Sequence, residues 1–331
     1  AGQRFDTALT GDASLSKRPM GRVAKPLREM GAVIETAAEG RPPLHIKGGG
    51  KLMGMDYEMP IASAQVKSCL LLAGLYAHGR TSVTEPAPTR DHTERMLKGF
   101  GYPVQVDGDT VTVEPGHKLT ACRIDVPADI SSAAFFMVAA SIAEGSDLTL
   151  EHVGINPTRI GVINILRAMG GNIELSNQQE VGGEPVADIR IRSARLRGIE
   201  IPLDQVPLAI DEFPVLFVAA ACAEGRTVLR GAEELRVKES DRIQVMADGL
   251  QALGVRAEPT ADGIVIEGGP IGGGRVESHD DHRIAMSFSV AALRATGEIH
   301  IGNCANVATS FPGFVELANA TGMRLRVEPS A

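Results

Sequence analysis

The residues best suited to chemistry are concentrated in Arg236-Val237-Lys238-Glu239-Ser240-Asp241-Arg242. Cations alternate there with carboxylates, and an apolar-periodic run follows at once: Ile243, Val245, Met246, Leu250, Leu253. The pattern predicts a charged loop entering a helix, with Ser240 or Asp241 as N-cap. Unpaired backbone N–H groups at a helix N-terminus add to Lys and Arg charge, which makes an anion site. A carboxylate held among those cations could move a proton. A solvated charged turn is the competing reading.

Other stretches are of the same kind. Arg18, in Lys17-Arg18-Pro19, is either an anion contact or a surface Arg; Pro19 suits the first position of the helix that follows. Ser63-Ala64-Gln65 opens a helix, where it either accepts a phosphate or supplies Ser63 as a cap, and Lys67 adds positive charge nearby. Arg90-Asp91-His92 precedes another helix as contact or cap, and Asp211-Glu212 opens an apolar one, where acids are ordinary. His279-Asp280-Asp281-His282-Arg283 contains metal-ligand residue types, but not at zinc-helix spacing, and Arg283 would repel a cation. Gly48-Gly49-Gly50-Lys51 and Gly268–Gly274 do not match a nucleotide-binding loop, and no GxSxG elbow occurs.

The elements that must position these residues repeat along the chain. An apolar, small-residue helix starting at a polar cluster recurs at Val66–Tyr76, Ala133–Ala143, Phe213–Ala223 and Ile284–Ala295, each leading into a β-rich stretch. An amphipathic helix ending at Gly recurs at Gly31, Gly101, Gly170, Gly254 and Gly322. Glycine there supplies the left-handed turn into a strand. Hairpins are expected at Asp107-Gly108 and Asp262-Gly263, and the widest spacing points to an insertion near Asn177–Pro185. The units read as helix–strand–helix–hairpin, with a half unit in front. They divide into a first domain, 1–127, and a second, 128–331. A chain beginning mid-unit is expected to be the back part of a longer protein.

Composition sets outer bounds. At 331 residues the chain is long enough for two cores. A net charge of −8, no Trp and 4% aromatics disfavour nucleic acid and anionic membrane as partners. No apolar run reaches transmembrane length. Cys69, Cys122, Cys222 and Cys304 are far apart and read as reduced core thiols of a cytoplasmic protein.

Arg236–Arg242 resembles the signature of the 5-enolpyruvylshikimate-3-phosphate synthase family. Thr10-Gly11-Asp12 with Lys17-Arg18-Pro19, Ser63-Ala64-Gln65, Asp281-His282-Arg283 and Ser310-Phe311-Pro312 match it in order. Asp12-Ala13-Ser14-Leu15 and Ser63-Ala64-Gln65 resemble the bacterial branch that includes glyphosate-tolerant enzymes. The resemblance implies an α/β fold, the two-domain enolpyruvyl transferase architecture. It is built of βαβαββ units around pseudo-threefold axes (an inside-out barrel), with the first domain here incomplete. It implies transfer of the enolpyruvyl group of phosphoenolpyruvate to the 5-hydroxyl of shikimate 3-phosphate, releasing phosphate, with no metal or organic cofactor.

The implied roles run residue by residue. Ser63, Ala64 and Gln65 bind shikimate 3-phosphate, Gln65 also touches phosphoenolpyruvate, and Arg90 is a further shikimate-phosphate contact. Asp211 accepts the 5-hydroxyl proton, Lys238 binds substrate and assists, and Glu239 serves the methylene carbon. Arg18, Arg242 and Arg283 clamp phosphoenolpyruvate beside His282. The resemblance fails at Thr309 and Glu234, where family substrate residues are replaced, and the family's front substrate motifs are not present. The chain alone is therefore expected to be inactive without an N-terminal segment as partner. The alternatives are an inactive anion-binding remnant and a UDP-N-acetylglucosamine enolpyruvyl transferase.

Overall fold

The computed structural model describes residues 1–12 and 15–328, so Ala13 and Ser14 of the Asp12–Leu15 match lie outside the described residues. The chain divides into two compact units: Ala1–Asp125 with Val181–Glu184, and Val126–Glu180 with Pro185–Ala331.

The first unit holds β1 (Thr7–Leu9), α1 (Gly21–Glu29), β2 (Ile34–Thr36) and β3 (Leu44–Ile46). These are followed by β4 (Asp56–Glu58), α2 (Ala64–Gly74), β5 (Thr81–Thr84), α3 (His92–Gly99), β6 (Val104–Asp107) and β7 (Thr110–Val113). Its core gathers residues such as Leu27, Met30, Leu70, Leu71, Val83, Leu97, Tyr102 and Val113. Helix α1 begins two residues later than Pro19 suggested. Met20 takes the N-cap position, and its N–H is bonded to the Gly40 carbonyl instead.

The second unit runs α4 (Ile130–Ile142), β8 (Asp147–Gly154), α5 (Gly161–Ala168), β9 (Asn172–Val181) and β10 (Glu184–Arg192). It continues with α6 (Phe213–Ala221), β11 (Arg226–Leu229), α7 (Arg242–Ala252), β12 (Arg256–Pro259) and β13 (Ile264–Glu267). It ends with β14 (Gly274–Glu277), α8 (His282–Ala291), β15 (Ile299–Gly302), α9 (Asn306–Ser310) and α10 (Phe314–Ala320). Helices α4, α6 and α8 are the apolar, small-residue helices of the repeat. They pack on one another and are buried nearly all round, as helices without a polar face must be.

The repeat is visible in the sheet topology. The strand order first–third–second recurs as β1-β3-β2, β5-β7-β6, β8-β10-β9 and β11-β13-β12. A parallel leading strand joins as β4 beside β5 and β14 beside β15. Elsewhere it shrinks to single bridges, Ala128 to Val153 and Glu200 to Val228. The insertion expected near Asn177–Pro185 is where the long strands β9 and β10 meet.

The amphipathic helices end alike. Gly31, Gly101, Gly170, Gly254 and Gly322 each stand two residues past the last helical residue, with φ between 74° and 101°. The next N–H reaches back to the helix, as Ala32 to Leu27, Tyr102 to Leu97, Gly171 to Leu166, Val255 to Leu250 and Met323 to Ala318. These are five copies of one Schellman closure. In four of them a side chain in the last turn bonds the carbonyl six residues on: Arg28 to Ile34, Arg167 to Ile173, Gln251 to Ala257 and Asn319 to Leu325.

The cysteines correct one expectation. All four are free, but Cys122 and Cys304 are exposed rather than core thiols. Both lie in connecting segments, Cys122 between β7 and α4 and Cys304 between β15 and α9, where no core is available to cover them.

Candidate active site

In the first unit, Ser63 caps α2, its Oγ accepting from the Val66 N–H at 3.3 Å. Ala64 and Gln65 are the first helical residues. The Gln65 Oε1 accepts from the Arg22 guanidinium at 2.6 Å. Arg22 is a cation that the sequence reading did not single out; its signal is its place four residues after Arg18, in the first turn of α1. Arg18 and Arg90 are half-buried, the first directly after the short turn Leu15–Lys17 and the second just ahead of α3.

Lys67 does not add charge to this helix end. It is 1% exposed and lies between two carboxylates, 2.9 Å from Glu85 and 2.7 Å from Glu94. A buried ammonium needs such partners, and they consume its charge. The pair ties α2 to the end of β5 and to α3, so Lys67 is part of the scaffold beneath Ser63–Gln65.

In the second unit the charged stretch separates into two tasks. Arg236 is a local clamp, bonded to Asp241 at 2.6 Å and to the carbonyls of Thr260 and Ala261. Asp241 is the N-cap of α7, accepting from the Gln244 N–H at 3.0 Å. Ser240 donates instead to Asp281 at 3.0 Å. Lys238 and Arg242 turn elsewhere: each is 3.5 Å from the same oxygen of Asp211. Lys238 is also bonded to Glu234.

Arg242 is the hub. Only 1% exposed, it donates through Nε to Asp281 at 2.9 Å and through Nη2 to Glu239 at 2.6 Å, besides facing Asp211. Asp281 is fully buried and caps α8 through the Arg283 N–H at 3.0 Å. Burial works to raise its carboxyl, but Arg242 and the donated hydrogen bonds hold it below the usual carboxylate range. This occupancy is why His279–Arg283 has the residue types of a metal site but other partners. Burial, followed by the charge of Arg283, holds His282 below the usual imidazole range. Arg283 donates to the Asp211 carbonyl at 3.0 Å.

Asp211, Lys238, Glu239, Arg242 and Arg283 are thus linked by direct contacts. The sequence reading missed Asp281 as the carboxylate that seats Arg242, and Arg159, Ser131 and Glu212 as a polar chain beside Arg283. Glu212 is at the N-cap position of α6 but does not cap it. It is 3% exposed and accepts from Ser131, which accepts from Arg159.

A family model for EPSP synthase, 3-phosphoshikimate 1-carboxyvinyltransferase, matches residues 1–317. The chain belongs to this family. A 3-phosphoshikimate 1-carboxyvinyltransferase from Methylococcus capsulatus is 69% identical over 327 residues, which are 99% of this chain and 75% of that protein. One from Alkalilimnicola ehrlichii is 70% identical, over 98% of this chain and 73% of that protein. The solved structure of EPSP synthase from Acinetobacter baumannii superposes with a TM-score of 0.92 at 61% identity, covering 99% of this chain and 76% of that one. The enolpyruvyl transferase NikO from Streptomyces tendae shares the fold, with a TM-score of 0.76 at 18% identity over 98% of this chain and 74% of that one. The fold is therefore the α/β enolpyruvyl transferase fold. A separate N-terminal polypeptide as partner finds no support in these comparisons. Among the described residues, no helix is long and apolar enough to cross a membrane.

Proposed function

We propose that this chain transfers the enolpyruvyl group of phosphoenolpyruvate to the 5-hydroxyl of shikimate 3-phosphate and releases phosphate. The observation that carries the reading is the Asp211 carboxylate, with Lys238 and Arg242 each 3.5 Å from one of its oxygens, in a chain of this family. A carboxylate is a side chain that can take a proton from an attacking hydroxyl, and the two cations beside it are placed to offset charge that develops there.

The roles follow from the chemistry. Asp211 takes the proton of the attacking 5-hydroxyl while its oxygen bonds to the substituted carbon of phosphoenolpyruvate. Glu239 gives a proton to the methylene carbon, forming the tetrahedral intermediate, and takes one back as the carbon–oxygen bond to phosphate breaks. Lys238 neutralises the developing charge and binds the shikimate substrate. Arg18, Arg242 and Arg283 receive the phosphoenolpyruvate anion, with neutral His282 beside them. Ser63, Ala64, Gln65 and Arg90 receive shikimate 3-phosphate. Arginines and helix ends supply the positive charge and carboxylates move the protons, so the scheme needs neither metal nor organic cofactor. The two domains of the reading are 1–127 and 128–331. The free cysteines favour a cytoplasmic setting.

The test is phosphate release from phosphoenolpyruvate with shikimate 3-phosphate as acceptor. Asp211→Asn should lower kcat by about 100-fold or more with little change in either KM, because the proton is accepted in the transition state. Release with UDP-N-acetylglucosamine but not with shikimate 3-phosphate would overturn the assignment.

A further inference from the structure

Glu212 is a buried carboxylate beside the candidate site, and the scheme gives it no task. Its surroundings are specific. Ser131 is in the first turn of α4, Glu212 immediately precedes α6, and Arg283 is in the first turn of α8. The Ser131 hydroxyl donates to Glu212 Oε1, and Arg283 Nη1 lies 4.0 Å from the same oxygen. The N-terminal ends of the three mutually packed helices therefore meet at this carboxylate. Arg159 closes the group, donating to Ser131 at 2.5 Å and pairing with Asp129 at 3.0 Å.

Two neighbouring carboxylates are thereby divided between different cations. Asp211 faces Lys238 and Arg242, and Glu212 faces Arg283. Arg283 Nη1 is held between Glu212 and the backbone carbonyl of Asp211. The contact to the carbonyl is a hydrogen bond at 3.0 Å, and that to Glu212 is a counter-charge at 4.0 Å. A guanidinium is a rigid planar fork, so where these two draw one nitrogen bears on where its other donors point.

We infer that Glu212 is a positioning residue: its carboxylate holds the Arg283 guanidinium in the orientation that receives phosphoenolpyruvate. The inference rests on the reading of Arg283 as a phosphoenolpyruvate ligand. It also accounts for a charge in an unfavourable place. Burial pushes the Glu212 carboxyl up, Arg283 and the Ser131 hydroxyl pull it back in part, and Asp211 adds repulsion. A folded value above 4.5 means that stability is lost as pH rises from that figure through the folded value, and that the cost is constant beyond it. A neutral isostere is free of that cost.

The experiment is phosphate release at varied phosphoenolpyruvate and saturating shikimate 3-phosphate, in the intact enzyme. The variants are Glu212→Gln, Arg283→Ala and the double variant. Arg283→Ala should raise the KM for phosphoenolpyruvate by about tenfold or more. Glu212→Gln should raise it about three- to tenfold, with kcat and the KM for shikimate 3-phosphate within about twofold. Added to Arg283→Ala, Glu212→Gln should have almost no further effect, since the residue it acts through is gone. The neutral-pH Tm of Glu212→Gln should be equal to or above that of the parent.

If Arg283→Ala leaves the KM unchanged, the ligand role of Arg283 is wrong, and the inference falls with it. If Arg283→Ala raises the KM but Glu212→Gln lowers Tm without moving it, Glu212 is only structural. An equal effect of Glu212→Gln in both backgrounds overturns the link to Arg283. Should Glu212→Gln not fold, Ser131→Ala carries the same test, with a smaller KM rise expected in the parent and none in the Arg283→Ala background.

Discussion

At the scale of single residues, Arg242 gathers the densest buried charge described in the second unit. The guanidinium is in contact with Asp281, Glu239 and Asp211, and Asp281 has no exposed surface. Arg242→Ala should therefore cost about 3–5 kcal/mol of stability, the usual result of stranding a buried partner. Arg242→Lys should recover part of that. Urea denaturation would show this, and a loss below about 1 kcal/mol would mean that Asp281 finds another partner. A linked effect concerns pH. Asp281 is held below 3.8 when folded, so as pH falls the unfolded chain takes up its proton first. Its contribution to stability is complete above that unfolded value and is lost as pH drops through it toward the folded one. The gap in urea midpoint between the parent and Asp281→Asn should narrow across that acid window; a constant gap would refute the assignment.

At the scale of elements, five helices close with the same left-handed glycine, and the closure aims each following strand. The five glycines are not equally replaceable. At Gly254 an added Cβ would meet nothing within 4 Å, so Gly254→Ala should cost only the backbone penalty, about 1–2 kcal/mol. At Gly31 the same Cβ would lie 2.9 Å from the Lys51 carbonyl oxygen, so Gly31→Ala should cost more. Denaturant midpoints of the two variants check the order, and a reversed order would mean that backbone strain is not the controlling term. Several of the site residues stand at the N-terminal ends of packed helices rather than in loops, although of α2, α7 and α8 only α7 closes with such a glycine. Ser63 caps α2, Arg242 opens α7 and Arg283 is in the first turn of α8, so each inherits the placement of a packed helix.

At the scale of the whole molecule, each unit has its own hydrophobic cluster, and that of the second unit is much the larger. All three tyrosines, Tyr57, Tyr76 and Tyr102, belong to the first unit, and there is no Trp. Tyr102 is buried in that cluster, with its hydroxyl donating to the Glu114 carbonyl at 2.6 Å. Tyrosine fluorescence therefore reports the first unit alone, whereas far-UV circular dichroism reports both. A smaller core gives less stability, so the tyrosine transition should come at lower denaturant than the dichroism transition. Coincident curves would show a single cooperative unit instead.

The sequence by itself determined the repeat, because helix-ending glycines and apolar helix stretches obey local rules of turn geometry and burial. The positions of Gly31 to Gly322, the hairpins and the family resemblance could all be read from neighbouring residues. Arg236–Arg242 and Asp281–Arg283 were legible as charged helix entries for the same reason, since each is compact in the chain, whereas the roles proposed for Asp211, Lys238 and Glu239 came from the family resemblance. What only the tertiary structure decided is how those charges are partnered. Lys67 looked available beside Ser63–Gln65 and is consumed by Glu85 and Glu94. Asp281 looked like one ligand type among several and is the seat of Arg242. Glu212 looked like an ordinary first-turn acid and is bonded to Ser131, 81 residues away in the chain. Partnering of this kind depends on which helix ends the packing brings together, and on a buried charge having to find a counter-charge wherever the fold puts one. No local pattern encodes either.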